Sequence, residues 1–464
     1  MCIGGGSSCC YGGDSARTPY GTVLVRTTCL PNKKSGEAIL KKVTAMMEAN
    51  SAFASSVNDI QICWRVVAGM SAGTVLIALI YVFALKYIVK PILYVSMVII
   101  LVMFVLFGTW SFMKRSEYDA VTQKKNYDYA TAGAGIGWGL AFIYACFMCC
   151  CWSNISLGAS IMEAASAFVT SNIRIIFLPI IAYAISLIFF AYWGVTAVYL
   201  YGVGTPTFNE LLPIATIKNN EQTTYIAWYF LFGLLWVVAF FICLQQFIIA
   251  SMTCMWYFNS QGDSEGEGAS LMTAIKWGTW YHCGSIAFGS FCIAVITMIR
   301  IVFEYLAHKY EAMAGKDGTL YKVVTCFMRC VLWCLDQYVK FITKNAFIQI
   351  ALHNKNFCPS ALAAFLLIVR FAGRFGSAAI IGWIIMMLGK GTIMGLSGYI
   401  TVVIIKAAYP DVQQPFLPAF FVVVVAYVVG SLFLSIFSFS CTAILHCFIM
   451  AEDSGSEVAS PPSL

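Results

Sequence analysis

Charge is what this chain has least of. Only 11% of its 464 residues are Asp, Glu, Lys or Arg, against 60% hydrophobic residues, and that balance excludes a soluble globular chain. Histidine is scarce as well, four in all, so a metal-assisted hydrolytic centre lacks ligands. HExxH, a Walker-type phosphate loop and GxSxG are all missing, and no enzyme chemistry and no bound cofactor is expected. No basic cluster stands out either. The net charge of +7 is spread along the chain, unlike the concentrated Lys/Arg footprint of a nucleic-acid binder, so no nucleic-acid partner is expected. No apolar h-region follows Met1, so no signal peptide is expected. Cys2 stands where myristoylation needs a glycine, and the Pro461 to Leu464 ending offers no prenylation cysteine. Membrane insertion must come from internal segments.

Those segments are abundant. A bilayer core of roughly 30 Å needs about 20 helical residues. Apolar runs of that size read as spans at about 63–85, 91–113, 131–151, 175–202, 222–262, 276–299, 346–369, 375–405 and 418–450. None alternates polar and apolar residues as barrel strands do, so each is a helix whose backbone amides are satisfied internally. The expected fold is all-α, a polytopic transmembrane helical bundle of about nine spans. Residues 1–62 read as a polar N-terminal segment, 63–450 as the transmembrane domain and 451–464 as a disordered tail. The link from Lys86 to Lys90 is so short that the first two spans are expected to form an antiparallel hairpin, its lysines in the cytosol. Residues 154–174 read as an amphipathic interfacial helix carrying Glu163, which could instead face a cavity.

Several residues carry a functional reading beside a plain packing role. Gly133, Gly135, Gly137 and Gly139 sit in an apolar 20-mer with no preceding strand, so close helix packing is preferred to a nucleotide-binding loop. Cys326, Cys330 and Cys334 form one helical stripe, read as packing or acylation on a surface helix; a metal site would want a fourth ligand. Cys2, Cys9, Cys10 and Cys29 lie in the polar segment, where pairing is open to them if that side is extracellular. Other cysteines, such as Cys243, Cys254 and Cys447, read as small packed hydrophobes.

The run from Gln222 to Gly262 holds no charged residue, yet it is decorated with hydrogen-bonding and aromatic groups. A quaternary ammonium has no N–H to donate, so a protein holds it among aromatic faces. Trp228, Trp236, Trp256, Tyr257 and Tyr281, with Gln245 and His282, are the candidate substrate-binding residues; packing and an interfacial belt are the competing role for the rings. His282 also stands beside Cys283 as a nucleophile pair, or is a hydrogen-bonded packing residue. Lys390, mid-span with 15 uncharged residues on either side, is a functional candidate unless it snorkels to the interface.

Four stretches resemble the choline transporter-like family, in that family's order. Trp280 to Ser290 (WYHCGSIAFGS) is similar to its YHxGSxAFGS signature, and Gln246 to Tyr257 to its Q-x-x-IA…WYF segment. Lys344-Asn345-Ala346 through Lys355 to Ala361 resembles its RNAYI…G-K-N-F-C-x-SA motif, and Leu388-Gly389-Lys390 its LGK. Arg26 to Pro31 and Asp59 to Trp64 match more weakly. The resemblance implies a multi-pass membrane protein, of the plasma membrane or else an internal membrane, that moves choline or ethanolamine by facilitative alternating access for phospholipid synthesis, with membrane lipids as its surroundings. The family pattern has ten spans with an extracellular loop after the first, and this chain is expected to begin within that loop. The family's Asp-Thr pair near the C-terminus is replaced by Thr442-Ala443. The alternative is a non-transporting scaffold, adhesion or lipid-handling protein of the same fold. An outside N-terminus would place the basic segment 307–344 outside too, against the positive-inside tendency, unless a central span or the 346–369 span is re-entrant.

Overall fold

The computed structural model describes residues 62–118, 124–150, 152–203, 221–259, 270–314, 319–409 and 415–453, and the backbone of four short strands. The strands form two antiparallel hairpins: β1 (Thr22–Val25) with β2 (Thr28–Pro31), and β3 (Thr205–Phe208) with β4 (Ala215–Lys218). The rest of the N-terminal segment, the acidic linker at 260–269 and the tail beyond 453 lie outside the described residues, as do the thiols expected to pair at Cys2, Cys9, Cys10 and Cys29.

Most of the other described residues are helical: α1 (Trp64–Arg115), α2 (Lys124–Cys150), α3 (Trp152–Ser171), α4 (Phe177–Gly202), α5 (Glu221–Asn259), α6 (Leu271–Lys276), α7 (Cys283–Ala314), α8 (Thr319–His353), α9 (Phe357–Arg370), α10 (Ala372–Ala408) and α11 (Phe416–Asp453). Among the described residues seven helices are long and apolar enough to cross a membrane: α1, α2, α4 with its preceding turn, α5, α7, α10 and α11. The fold is therefore all-α and polytopic, with seven such helices where the sequence suggests nine spans.

Two local features account for the difference. The hairpin expected at Lys86–Lys90 does not form, because α1 runs unbroken for 52 residues with Pro91 inside it. Tyr81, Leu85, Val89, Leu93 and Met97, all buried, recur every four residues straight through the would-be turn, so one helical face is continuously packed. Pro91 removes only the bond to the carbonyl four residues back and stands on the exposed side. The stretch 346–369 is likewise no single crossing. Helix α8 ends at His353, Asn354 takes a positive φ of 54°, and α9 starts after the Asn356 cap and packs back on α8. Asparagine tolerates the left-handed conformation that ends a helix, and Pro359 falls in the first turn of α9, where its missing N–H costs nothing.

The chain divides into two compact units. The smaller takes in 191–230, 396–424 and the residues up to Ala72. In it Cys63, Val67, Ile405 and Val422 form a small core, and Trp193 stacks on Phe230 at 5.1 Å while its indole N–H donates to the Phe230 carbonyl at 3.2 Å. The larger comprises 73–190, 231–395 and 425–464 and holds the main core. Helix α3 lies in that core: Ile155, Ile161, Met162, Ala165 and Phe168 are all buried. It is thus a packed helix and not the interfacial one expected, since its small residues, Gly158, Ala159, Ala164 and Ala165, leave several faces free to accept neighbours. Its Glu163 pairs with Lys90 of α1 at 2.5 Å.

The glycines of α2 divide by face. A Cβ on Gly137 would stand 2.6 Å from the Gly108 backbone and one on Gly133 3.1 Å from Ser111, whereas Gly135 and Gly139 meet nothing. Gly133 and Gly137, four apart, thus form the close-packing face against α1.

Candidate functional site

The aromatic residues of α5 and the α6–α7 region are held by separate neighbours. Trp228 is half-buried and belongs to the smaller unit; the others belong to the larger. Trp236 donates its indole N–H to the Ala287 carbonyl at 3.2 Å and sits edge-on to Phe291 at 5.5 Å. Trp256 is buried, edge-on to Phe168 at 5.6 Å, and Tyr257 is buried beside Phe258 at 5.1 Å. Between α6 and α7 the chain makes a π turn, Trp277–Tyr281, closed by the His282 N–H on the Trp277 carbonyl at 2.9 Å. Gly278 packs inward against Leu244 and Phe247, which leaves Trp280 and Tyr281 on the outside, 82% and 67% exposed. His282 lies over Phe247 at 5.3 Å, and burial lowers its pKa below the ordinary imidazole value.

Gln245 and Lys390 are placed differently: each lines a cavity of the larger unit. One cavity, of ≈ 380 Å³, is walled by α3, α8, α10 and α11 and presents Phe341, Phe375, Trp383 and Phe437 together with Lys390. The Lys390 ammonium stands 5.2 Å from the Tyr427 ring centroid, a cation–π distance. The second, of ≈ 480 Å³, is walled by α5, α8, α10 and α11 and presents Gln245, Gln246, Lys344, Asn345, Ser431 and Ser435. Phe341, Met386, Ser438 and Thr442 line both, so the two cavities adjoin. Both volumes fall in the range of about 300–1,000 Å³ that small-molecule sites occupy.

Helix α8 carries the polar side of this arrangement. Asn345 is 1% exposed; its amide N–H donates to the Phe341 carbonyl at 2.9 Å, and its side-chain oxygen has no protein partner. The Ser431 hydroxyl is unpartnered too. Lys344, exposed along part of its length, opens onto the cavity with Lys340 one turn before it on the same helix. About two turns before Lys344, Asp336, buried, is held by Lys340 at 2.7 Å and Arg300 at 3.6 Å. A cavity with unmet hydrogen-bonding atoms, a cation and several aromatic faces can accept a small polar molecule that carries apolar or quaternary groups. The reading of the residues alone passed over Asn345, Ser431, Ser435 and Ser438. The signal available was the Lys344-Asn345 pair inside the third matching stretch.

The three cysteines of α8, Cys326, Cys330 and Cys334, are exposed and free, and no group of three or more His, Cys, Asp or Glu converges as a metal site among the described residues. Cys254 and Cys447, as expected, are buried, their sulfurs 3.6 Å apart.

Comparison with known proteins decides the lineage. The family described as "plasma-membrane choline transporter" matches residues 135–453, more than half of the chain. The chain belongs to that family. Every residue lining the two cavities falls inside the matched region. Choline transporter-like protein 2 of Dictyostelium discoideum is 26% identical over 319 residues, covering 69% of this chain and 50% of that protein. The human choline transporter-like protein 4 is 25% identical over 342 residues, 64% of this chain and 48% of the relative. The Macaca fascicularis choline transporter-like protein 5 is 28% identical over 313 residues, 58% and 43%. The chain thus spans about half the length of the family members it matches. Membership and the seven apolar helices together make it a multi-pass membrane protein of a transporter family.

Proposed function

We propose that this protein is a facilitative transporter of choline or a related organic cation in the plasma membrane, working by alternating access through the two adjoining cavities of the larger unit. The observation that carries the proposal is that the two cavities adjoin with complementary linings. Aromatic faces at Phe375 and Phe437 in the first, with Phe341 where the two meet, suit a trimethylammonium group, and the unpartnered Asn345 oxygen and nearby serines of the second suit the alcohol at its other end. Family membership supports the same reading. Within it the rings of Trp236 and Trp256 brace the helices that frame the passage, while Gln245 and Lys390 contribute to its wall.

Uptake of radiolabelled choline by liposomes holding the purified full chain tests this. Ser438 lines both cavities, so Ser438→Trp fills the junction and uptake is expected to fall to the level of empty liposomes. Uptake that persists in that variant, or that ignores excess unlabelled choline, would overturn the proposal.

A further inference from the structure

Gln349 and His446 meet where α8 packs on α11, and neither lines either cavity. Both are buried, and the side-chain amide nitrogen of Gln349 stands 2.7 Å from the imidazole Nε2. The same nitrogen is 3.3 Å from the Met450 sulfur, about one turn further along α11. A side-chain amide has two hydrogens to give and both neighbours accept, so Nε2 is the acceptor and the ring proton sits on Nδ1. This tie joins the two helices that wall both cavities.

The imidazole also touches a residue of the wall. Phe375 lines the first cavity, and its ring stands edge-on to His446, the centroids 5.6 Å apart at 69°. Phe375 falls in the first turn of α10, just after the break at Phe371, so little helix precedes it to direct the ring. A quaternary ammonium is attracted to the face of a ring and not to its edge, so the tilt of Phe375 sets how well it meets one. Gln349, for its part, stands one turn after Asn345, which lines the second cavity.

We infer that His446 is a positioning residue for the substrate: from behind the wall it fixes the tilt of Phe375 in the first cavity and, through Gln349, the turn of α8 that carries Asn345 in the second. This rests on the reading that the two cavities are the substrate passage. His446 touches no substrate, and its effect reaches the ligand only through the residues it holds.

Choline uptake by liposomes and the thermal unfolding midpoint, measured on the same preparations of the full chain, test this. His446→Leu with Gln349→Met replaces both hydrogen-bonding partners by apolar residues of similar size, leaves neither of them unpaired, and should keep the midpoint close to that of the unsubstituted chain. Half-saturation for choline should nevertheless rise about fivefold, with the maximal rate within about twofold. His446→Gln keeps an acceptor for Gln349 but presents no ring edge to Phe375, and should show the same split. On a Phe375→Leu background, His446→Gln should add nothing further. Unchanged half-saturation in His446→Gln or in the double variant overturns the inference while leaving choline transport standing. So does an equal further rise on the Phe375→Leu background, or a rise seen only where the midpoint collapses. Absence of saturable choline uptake by the unsubstituted chain overturns the transport reading and this inference together.

Discussion

Two parts of the larger unit, the tryptophans Trp236 and Trp256 at separate points along α5 and the polar group around Asn345, differ in how their side chains are engaged. Trp236 spends its N–H on the Ala287 carbonyl, and Trp256 is closed in by Phe168. At the second region the Asn345 oxygen and the Ser431 hydroxyl are left without a protein partner, and Lys344 is left without a counter-charge. A ring held among neighbours adds stiffness; an unsatisfied polar group adds a demand that something else must meet. On the transport reading proposed above, the contrast favours the region with unmet hydrogen-bonding atoms, whereas ring content alone would favour the tryptophans.

The contrast can be broken or sharpened by mutation. The largest effect is expected at Trp256→Ala: emptying that buried site should cost about 3–5 kcal/mol, read as a large drop in the thermal unfolding midpoint, whereas a ring whose main task is to touch ligand would lose uptake with its midpoint kept. Asn345→Leu should lie in the middle. It removes the unpartnered oxygen along with the bond to the Phe341 carbonyl, so stability changes little and half-saturation for choline uptake rises about tenfold, equivalent to ~1.4 kcal/mol. A loss of stability with unchanged uptake would turn the comparison round. Tyr281→Ala is the smallest. At 67% exposure on the π turn it should shift stability by less than about 0.5 kcal/mol and leave uptake intact, and a lost uptake would bring that ring back as a ligand contact.

How much of this could be read from residue order follows from what lipid permits. Helix α5, expected over 222–262, runs Glu221–Asn259, and α4, expected over 175–202, runs Phe177–Gly202, because an uncharged run at membrane depth has no alternative to a helix. The joining of the first two spans into α1 was harder. Lys86 and Lys90 look like a cytosolic turn, and only the four-residue spacing of Tyr81, Leu85, Val89 and Leu93 argues otherwise. The break at Asn354 carried its signal in Asn354, Asn356 and Pro359, but the apolar residues on both sides imitate one span. The cavities were illegible, since their walls come from α3, α5, α8, α10 and α11, segments separated by up to nearly three hundred positions. Lys390 was found because a mid-span charge is conspicuous by itself; Asn345 was passed over because an uncharged amide beside a lysine is not.

Gly108 and Gly137 bring two main chains so near that a single methyl at either position would collide, at Gly137 with backbone that has no way to yield. Helices α1 and α2 therefore behave at that crossing like two bars riveted together. If the proposed alternating access holds, the swing that admits and discharges a solute leaves this joint closed and is taken up between other helices. A disulfide staple beside the rivet should therefore be harmless to uptake.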